Sequence, residues 1–371
     1  MNIGIPKEIM TGERRVALTP DACRVLIESG NSVFVEENAG LASGYDDSQY
    51  QQSGADILKT ARQVFDKAQL IVKVKQPLQH DIDYLSSDHT LFSYLHLAAD
   101  LSLVKTLCDI GLTAIPFESI VDEQGKLPLL TPMSQVAGRI AAIRGASLLF
   151  NNRGGSGVLL GGVEGTDAGN VVVLGAGVAG SHAIAACVAL GANVDVLDLD
   201  EVKLKRLKQQ YPSLEIHQST LEVVEELCRR ADLVIGAVLL AGRRAPVVLK
   251  QSVVKQMNRG SVVVDIAIDQ GGCVEGIRAT SSEELSYVEH GVIHSAVPNM
   301  PATVARTSSQ SLSSAILPYV EVLASGVIDF SVKPTSGLKA ALYEGVAVHG
   351  GEVVDRVLRR EIDSQNLIAG V

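Results

Sequence analysis

The stretch VVVLGAGVAGSHAIAACVALGANVDVLDLD, residues 171–200, decides the fold. An apolar run typical of a strand leads into the spacing GxGxxG, which opens a helix of small residues and is followed by a second strand. Gly175 permits a tight turn, Gly177 lets a phosphate approach the backbone, and Gly180 lets helix and strand pack closely. Because a helix N-terminus offers free N–H groups and a partial positive charge, the pattern predicts a dinucleotide-binding βαβ unit.

The acid at the end of the second strand indicates which dinucleotide binds. Asp198 lies 18 residues after Gly180, about where an acid accepts the hydroxyl groups of the adenosine ribose. Its charge would repel a 2′-phosphate, so NAD is expected rather than NADP. The bases of the next helix argue the other way, although a solvated helix face explains them as well. These bases are Lys203, Lys205 and Arg206.

Strands and helices alternate along the rest of the chain, which is typical of parallel sheets covered by helices on both faces. The β-rich runs of the first part are NIGIP, SVFVEE, LIVKVK, TLFSYLHL and LTAIPFE. A helix begins at the pair Thr19-Pro20, an N-cap followed by a proline at the first helical position, and stops at Gly30. The last long helical stretch, after Pro301, is expected to be interrupted by Pro318.

A change of sequence pattern near Pro132 marks a domain boundary. MSQVAGRIAAIRGASLLF has helical spacing and enough length to bridge two domains, and a chain of 371 residues exceeds one ordinary core. We therefore expect an α/β fold of two Rossmann-like, doubly wound domains with a cleft between them, connected by long helices. Residues 129–305 are expected to form the NAD-binding domain, and residues 1–128 with 306–371 the substrate domain.

Composition excludes several classes of partner. The formal charge of −10 at pH 7 would repel nucleic acids and anionic lipid surfaces. Aromatic residues make up 4% with no tryptophan, too few for platforms that stack single-stranded bases. The N-terminus MNIGIPKEIM lacks the apolar segment of a secretion signal, and no apolar run reaches the roughly 18 residues of a membrane helix. A cytoplasmic protein with a small-molecule substrate is expected.

The five cysteines are widely and irregularly spaced. They form no CxxC pair and no cluster with histidine, so no metal site is predicted. Reduced, mostly buried thiols are expected, and Cys273 alone lies beside a candidate site.

The run LFSYLHLAADL, residues 91–101, places one imidazole among apolar side chains. His96 is either a core residue with hydrogen-bond partners or a group used for its proton. Strand alternation puts Tyr94 and His96 on one face, so the phenol would lie beside the imidazole. With an ordinary pKa of about 6.5, a histidine both accepts and donates protons near neutrality.

Cationic side chains in the first part of the chain suit an anionic substrate. LIVKVKQP places Lys73 and Lys75 on one face of an otherwise apolar strand, where a lysine is costly to bury without a partner. In ERRVALTP, alternation points only one of Arg14 and Arg15 inward, and the residues themselves do not decide which. An inward arginine would bind a carboxylate through its planar fork, whereas a solvated pair is the alternative.

The run SVVVDIAIDQGGC supplies a candidate acid. Alternation puts Asp265 and Asp269 on one face, with Asp269 at the C-terminal end of the strand, where open α/β sheets bind ligands. The alternative is that Asp269 only shapes the DQGG turn. An acid, an imidazole and cations together fit the oxidation of a C–H bond next to a carboxylate, with hydride passing to nicotinamide.

The chain closely resembles the NAD-dependent L-alanine dehydrogenases, which share a fold with the nucleotide-binding part of proton-translocating transhydrogenase. The resemblance runs nearly end to end, through IGIPKE, RRVALTP, VKVKQPL, YLHLAAD, LPLLTPMSQVAGR, GVLLGGV, ADLVIGAV, DIAIDQGGC and NMPATVARTS. The chain departs from the family around Glu118, where FES replaces YET, and at Ser156 and Ala305, which replace an arginine and a proline. The tail after Ser325 matches poorly, and positions near Glu321 do not align with a metal site.

The resemblance implies reversible oxidative deamination of L-alanine to pyruvate and ammonium by a homo-oligomer, usually a hexamer. It implies that His96 is the acid/base residue and Asp269 the second catalytic group. The implied substrate contacts are Arg15, Lys75, Tyr94 and Asn299. The implied NAD contacts are Ser134, Gly175, Gly177, Val178, Ala179, Gly180, Asp198, Lys203, Val238, Leu239, Ile266, Ala267, Ile268, Arg278, Val297, Pro298 and Met300.

Two alternatives stay open. The same scaffold could act on another amino acid, such as lysine, serine or glycine. A soluble, transhydrogenase-like NAD-binding protein would need no amino-acid pocket, and it would leave Arg15, Lys75 and His96 without a role.

Overall fold

The computed structural model describes residues 1–238, 244–281, 284–326 and 332–369, with side chains to residue 363. Within them the strands are, in chain order, β1 (Asn2–Ile5), β2 (Ser32–Glu36), β3 (Asp56–Leu58), β4 (Leu70–Val72), β5 (Thr90–Ser93), β6 (Thr113–Pro116), β7 (Asn170–Leu174), β8 (Asn193–Asp198), β9 (Glu215–Gln218), β10 (Leu233–Gly236), β11 (Val262–Asp265), β12 (Tyr287–Glu289), β13 (Val292–Ser295), β14 (Val348–His349) and β15 (Glu352–Val353). The α-helices are α1 (Pro20–Glu28), α2 (Asp47–Gln52), α3 (Ala61–Lys67), α4 (Gln79–Ile82), α5 (Leu101–Ile110), α6 (Thr131–Leu148), α7 (Val178–Ala189), α8 (Glu201–Gln210), α9 (Leu221–Arg230), α10 (Gln251–Val254), α11 (Ala305–Ala324), α12 (Gly337–Glu344) and α13 (Arg356–Ala369).

The chain divides into two compact units. Unit 1 comprises Met1–Met133 and Val304–Val371, and unit 2 comprises Ser134–Thr303. The chain therefore leaves unit 1 once, within α6, and returns to it once, just before α11. A long helix lies at each of these crossings, as the sequence predicts.

The sheet of unit 1 has the strand order β15-β14-β6-β5-β4-β1-β2-β3. The pairs from β6 to β3 are parallel, whereas β14 pairs antiparallel with both β6 and β15. Alternate residues of a strand enter different apolar clusters: Leu70 and Val72 of β4 lie in one, and Ile71 lies in the other. Two buried faces are what a parallel sheet covered by helices requires.

The sheet of unit 2 has the strand order β12-β13-β11-β10-β7-β8-β9, and all its pairs are parallel except β12 with β13. The side chains of its strands also belong to two apolar clusters: Val171 and Val173 of β7 lie in one, and Val172 and Leu174 lie in the other. Numbered within each unit, the parallel strands of both sheets run in the Rossmann order 3-2-1-4-5-6. The predicted class, two doubly wound α/β domains, is confirmed.

The helix predicted at Thr19-Pro20 is confirmed, because α1 begins at Pro20 with Thr19 at its N-cap. The predicted interruption at Pro318 is wrong, since α11 is continuous through it. A proline inside a helix removes a hydrogen bond and crowds the preceding turn, at a cost of about 3 kcal/mol. Burial of the apolar face of α11 in the core of unit 1 compensates for this cost. The buried side chains of that face include Leu312, Ile316, Tyr319, Val320 and Leu323.

Candidate active site

The cationic and imidazole side chains proposed for the substrate lie in loops that leave the carboxyl ends of strands in unit 1. Arg15 lies between β1 and α1, Lys75 follows β4, and His96 follows β5. The strand order reverses between β1 and β4, which are hydrogen-bonded neighbours. These loops therefore lie at the sheet edge and near the switch point where open α/β sheets bind ligands.

His96 does not lie on a strand, so the alternation predicted for it is wrong. β5 ends at Ser93, and His96 has a left-handed backbone with φ +50°. Tyr94 nevertheless lies beside the imidazole: the two rings are stacked, with centroids 6.2 Å apart and planes 10° apart. The buried Tyr94 hydroxyl donates to the carbonyl oxygen of Leu129 at 2.6 Å. This hydrogen bond fixes the phenol as a flat surface against which the imidazole rests.

The surroundings of His96 keep its imidazole uncharged at neutral pH. They lower its pKa to about 4, through partial burial first and then through the positive charges of Lys75 and Arg15. Because 47% of the side chain is exposed, His96 is not a core histidine. A neutral, accessible imidazole is ready to accept a proton.

The structure resolves the choice between the two adjacent arginines, because Arg14 is exposed and Arg15 is buried. Glu13 binds Arg15 through both carboxylate oxygens, with Nε 2.7 Å from Oε1 and Nη2 2.6 Å from Oε2. The third nitrogen, Nη1, lies 3.0 Å from Sδ of Met133. Burial alone would lower the pKa of Arg15, but the hydrogen bonds and charge of Glu13 raise it. Arg15 is thus a permanently charged group with a fixed plane.

The two lysines of LIVKVK have different surroundings, contrary to the prediction that they share a strand face. β4 ends at Val72, before either lysine. Lys73 is buried, with Nζ 3.2 Å from Asp81 and 3.7 Å from Glu8, because a lysine inside a core requires anionic partners. Lys75 is half-buried, which leaves it as the lysine suited to a substrate.

A carboxylate accepts the backbone N–H of each of three candidate residues, an arrangement that the sequence analysis missed. Such an acceptor restrains the loop that carries the candidate side chain. The pairs are Glu13 with Arg15 at 3.0 Å, Glu8 with Lys75 at 3.4 Å, and Glu118 with His96 at 2.5 Å. Two of these acids follow the carboxyl ends of β1 and β6. An acid just beyond a buried strand is the sequence signal that could have identified them.

Glu118 also lies near the imidazole. Its Oε1 is 3.9 Å from Nδ1 of His96 and 3.2 Å from the backbone nitrogen of Leu95. Burial raises the pKa of Glu118, and the N–H groups of His96 and Leu95 and the charge of Lys75 lower it in part.

In unit 2, the three glycines that follow β7 meet different constraints. Gly175 has φ +104°, and a Cβ there would lie 2.8 Å from the carbonyl oxygen of Ala237. A Cβ at Gly180 would lie 1.8 Å from the carbonyl oxygen of Gly175. A Cβ at Gly177, the N-cap of α7, would have no atom within 4 Å. Packing therefore requires the first and third glycines, whereas the second borders open space at a helix N-terminus, which fits the phosphates of a dinucleotide.

Asp198 ends β8 and is directed at the glycine loop. Its carboxylate accepts the N–H of Ala176 at 2.6 Å and the N–H of Asp200 at 2.9 Å. Lys203, on α8, lies 3.6 Å from Asp200 and is half exposed. The ion pair on the helix surface agrees with the solvated-face explanation of these bases.

Several other cofactor candidates also follow carboxyl ends of strands in unit 2. Val238 follows β10, residues 266–268 follow β11, and residues 297–300 follow β13. Together with the loop after β7 they line one edge of one sheet. The strand order of this sheet reverses between β7 and β10, so this is the edge where a Rossmann domain binds its ligand.

Of four further residues, three lie in the part of the chain that the structure describes. Ser134 lies in α6, and the guanidinium carbon of Arg278 lies 3.7 Å from the ring centroid of Tyr287. Leu239 lies outside the described residues. Cys273 is buried, and burial raises the pKa of its thiol, so the sulfur stays protonated.

The alternation predicted across Asp265 and Asp269 is wrong, because β11 ends at Asp265 and Asp269 lies in the 3₁₀ helix Ile266–Gln270. The turn-shaping role belongs to Asp265, which is buried and accepts backbone N–H groups, including that of Cys273 at 2.8 Å. Asp269 instead accepts the backbone N–H of Asn299 at 3.3 Å. Asp269 is therefore tied to the loop after β13 and remains the candidate acid.

Over the residues that the structure describes, no three His, Cys, Asp or Glu side chains are grouped to hold a metal ion. All five cysteines are free thiols. No helix of the described segments is long and apolar enough to cross a bilayer.

Two doubly wound units, one with a dinucleotide-type glycine loop and one with an imidazole beside two cations, define a nucleotide-binding oxidoreductase of the α/β class. Residues 4–137 match the family described as Alanine dehydrogenase/PNT, N-terminal domain, and residues 141–356 match Alanine dehydrogenase/PNT, C-terminal domain. The chain belongs to the alanine dehydrogenase/PNT family, and the resemblance read from its motifs is confirmed.

Individual relatives cover nearly the whole chain. The alanine dehydrogenase of Halomonas elongata is 45% identical over 325 residues, 87% of this chain and 88% of that protein. A solved L-alanine dehydrogenase has a TM-score of 0.92 and 42% identity, covering 98% of this chain and 99% of that one. A solved transhydrogenase from Sinorhizobium meliloti has a TM-score of 0.82 and 26% identity, covering 96% and 100%.

Proposed function

We propose that this protein catalyses the reversible, NAD-dependent oxidative deamination of L-alanine to pyruvate and ammonium. The observation that carries the proposal is the group of side chains in unit 1: a neutral imidazole, a carboxylate-paired guanidinium and a half-buried ammonium, each beyond the carboxyl end of a strand. These are the groups that an α-amino carboxylate requires. Relatives named alanine dehydrogenase, 42% and 45% identical, support alanine as the substrate.

Arg15 binds the carboxylate of the substrate, and Lys75 polarises the carbonyl or imine group. The guanidinium suits a carboxylate because its N–H groups lie in one plane, and the pairing with Glu13 keeps that plane fixed. A lysine is a compact point charge without a fixed plane. Lys75 can therefore interact with the nitrogen or oxygen bonded to Cα both before and after Cα becomes planar.

His96 moves the protons. As a neutral base it accepts a proton when water adds to the imine, and it returns one to the departing ammonia. The charges of Lys75 and Arg15 help to lower its pKa. A substrate carboxylate offsets those charges and raises the pKa of His96 back towards neutrality, where a group donates and accepts equally well.

Asp269 stabilises the cationic imine and positions the water or ammonia. Its carboxylate is restrained by the N–H of Asn299, so the negative charge is held in one place as positive charge develops on the substrate nitrogen. A fixed charge of this kind stabilises a transition state without reorganisation.

Unit 2 is the cofactor domain, and unit 1 is the substrate domain. Bound NAD supplies the acceptor for the hydride that leaves Cα of alanine. The glycine loop after β7 would hold the pyrophosphate through the free N–H groups at the N-terminus of α7, where Gly177 borders open space. Asp198 would accept hydrogen bonds from the ribose hydroxyl groups. Its negative charge would repel a 2′-phosphate, and for this reason we propose NAD rather than NADP.

We also propose a homo-oligomer, a hexamer by family resemblance, that works in the cytoplasm. Five free thiols suit a reducing compartment. Light scattering of the purified protein tests the first statement, and cell fractionation tests the second.

The reaction is tested by adding the protein to NAD with L-alanine, D-alanine, L-serine, glycine or L-lysine near pH 10 and following NADH absorbance. High pH favours oxidation because the reaction releases a proton. We expect a fast rate with L-alanine alone and a much slower one when NADP replaces NAD. Clear NADH binding without a rate on any amino acid would overturn the proposal.

Arg15→Lys tests the substrate site separately. The change keeps the charge and removes the fork, so the KM for pyruvate should rise while the Kd for NADH stays unchanged. An equal loss for both ligands would contradict the assignment of Arg15 to the carboxylate.

The similarity to a transhydrogenase at 26% identity makes a transhydrogenase-like NAD-binding protein the second candidate. It would bind NAD without an amino-acid pocket. Clear NADH binding with no rate on any amino acid would select it.

A further inference from the structure

Glu118 is a carboxylate near His96 to which the proposed chemistry gives no role. It lies in the 3₁₀ helix Phe117–Ser119 directly after β6, and 23% of its side chain is exposed. Phe117 is fully buried, in edge-to-face contact with Phe92 at 4.5 Å and Tyr94 at 5.0 Å between ring centroids. Glu118 therefore extends from a rigid part of the core.

The backbone of His96 has a conformation that L-residues rarely adopt, with φ +50° and ψ +38°. In this left-handed region the Cβ crowds the following carbonyl oxygen, so a residue stays there only where its surroundings hold it. The other described non-glycine residues with positive φ are Asn38, His290 and Asn299. Something must therefore hold His96 in this conformation.

One oxygen of Glu118 binds both peptide groups that lead into His96. Oε1 accepts the N–H of Leu95 at 3.2 Å and the N–H of His96 at 2.5 Å, and Oε2 also accepts the N–H of Leu95, at 3.4 Å. Two successive N–H groups that converge on one anion form a concave site of the kind that left-handed turns create. Because the backbone sets the direction of the Cα–Cβ bond, this contact also sets where the imidazole lies.

We propose that Glu118 is a positioning residue for His96: it holds the left-handed turn that presents the imidazole for proton transfer, and it does so by hydrogen-bond acceptance at Oε1 rather than by its charge. The significance for turnover rests on the proposed function, in which His96 moves the protons. The effect on the backbone of His96 does not depend on that function.

Two variants separate the effect of the length of the Glu118 side chain from the effect of its charge. Glu118→Gln keeps the length and the accepting Oε1 and removes the charge, whereas Glu118→Asp keeps the charge and withdraws the carboxylate by one methylene group. A displacement of about 1 Å costs roughly 10²-fold in rate, so kcat for L-alanine should fall by about that factor in Glu118→Asp. In Glu118→Gln it should stay within about fivefold of the wild type, since neutral hydrogen bonds to Oε1 replace charged ones of the same length. The Kd for NADH should not change in either variant.

Glu36→Gln is the matched control. Glu36 belongs to the same unit, and its Oε2 accepts the backbone N–H of Lys7 at 2.7 Å. This substitution removes a charge from the same kind of bond at a position without a proposed catalytic role, so its kcat should equal that of the wild type.

The outcomes are distinguishable. A loss in Glu118→Gln as large as that in Glu118→Asp would show that the charge is required as well as the length, and full activity in Glu118→Asp would remove the positioning role; either overturns the proposal. Crystal structures of both variants give a readout without activity: φ of His96 should stay positive in Glu118→Gln and leave the left-handed region in Glu118→Asp. If the wild type does not oxidise alanine, the proposed function fails, and the two crystal structures still decide whether Glu118 holds His96.

Discussion

The carboxylate of Asp269 accepts the backbone N–H of Asn299 at 3.3 Å, and Asn299 has a left-handed backbone with φ +56°. Unit 1 contains the same arrangement, in which Glu118 accepts the N–H of the left-handed His96. The roles are exchanged between the units. In unit 1 the left-handed residue carries the proposed reacting group, and in unit 2 the carboxylate carries it.

Two substitutions of Asn299 isolate the contribution of its backbone. Asn299→Gly and Asn299→Ala both remove the side chain, but only glycine adopts positive φ without strain. The alanine variant should therefore unfold with a free energy about 1 kcal/mol smaller than the glycine variant, and it should have the lower kcat. Denaturant unfolding and steady-state kinetics measure both quantities. Equal stability of the two variants would show that the left-handed conformation is not required there.

His96→Ala should lower kcat for L-alanine by roughly 10²-fold or more, the usual contribution of a positioned acid–base group. Because the imidazole is exposed on one side, its removal should leave the fold and the Kd for NADH unchanged. Circular dichroism and NADH fluorescence provide these controls. A folded variant with the wild-type rate would return His96 to a structural role.

The low pKa of His96, about 4, predicts unusual reactivity at acid pH. Diethylpyrocarbonate reacts with an imidazole only in its neutral form. At about pH 5.5 His96 should therefore react nearly as fast as it does at neutrality, whereas N-acetylhistidine, with a pKa of about 6.5, should react more slowly than it does at neutrality. Lys75→Gln removes one of the two positive charges and should raise the pKa of His96. Peptide mass spectrometry measures the rates, and an identical pH dependence in both proteins would contradict this electrostatic account.

The same shift has a consequence for folding. The unfolded chain binds the proton of this histidine with an ordinary pKa of about 6.5, so it takes up the proton before the folded chain does. The contribution of His96 to the free energy of unfolding therefore declines as pH falls from about 6.5 towards about 4. His96→Ala should remove this part of the pH dependence.

Gly180→Ala should reduce the stability of the fold, whereas Gly177→Ala should weaken the binding of NADH. A Cβ at Gly180 meets the carbonyl oxygen of Gly175 at 1.8 Å, so this variant should lose roughly 1–3 kcal/mol of stability. A Cβ at Gly177 meets nothing within 4 Å, so that variant should fold normally and bind NADH at least about tenfold more weakly, about 1.4 kcal/mol. Thermal unfolding and NADH titration measure the pair. Normal NADH affinity in folded Gly177→Ala would argue against the pyrophosphate at this loop.

Asp198→Asn tests the choice of dinucleotide. The amide oxygen can still accept the N–H of Ala176, which Asp198 binds at 2.6 Å, while the charge that repels a 2′-phosphate is removed. The ratio of kcat/KM for NAD over NADP should fall by roughly tenfold, about 1.4 kcal/mol. An unchanged ratio would show that another group excludes NADP.

The order of strands and helices could be predicted because strands buried on both faces read as apolar runs. The ends of those strands could not be predicted from the same runs. Val74 and Leu95 are fully buried although they lie beyond the ends of β4 and β5. Apolar residues in a buried loop look like the continuation of a strand, which is why alternation failed at Lys75 and His96.

The candidate side chains could be predicted from their chemistry, since an arginine, a lysine and a histidine in apolar runs require an explanation. Glu8 and Glu118, which accept two of their N–H groups, could be picked out only as acids just beyond buried strands, and their partners could not be predicted. Glu8 is 67 residues from Lys75, and Glu118 is 22 residues from His96. Only the folded sheet brings the loops after neighbouring strands together, so these contacts leave no local pattern.

The shared strand order of the two sheets has an evolutionary consequence. In unit 2 the loop at the reversal point offers main-chain groups, and two of its glycines, Gly175 and Gly180, leave no room for a side chain. In unit 1 the equivalent edge offers side chains on loops after β1, β4, β5 and β6. A lineage can therefore acquire a new substrate by exchanging a few residues on one edge, while the hydride acceptor is inherited unchanged.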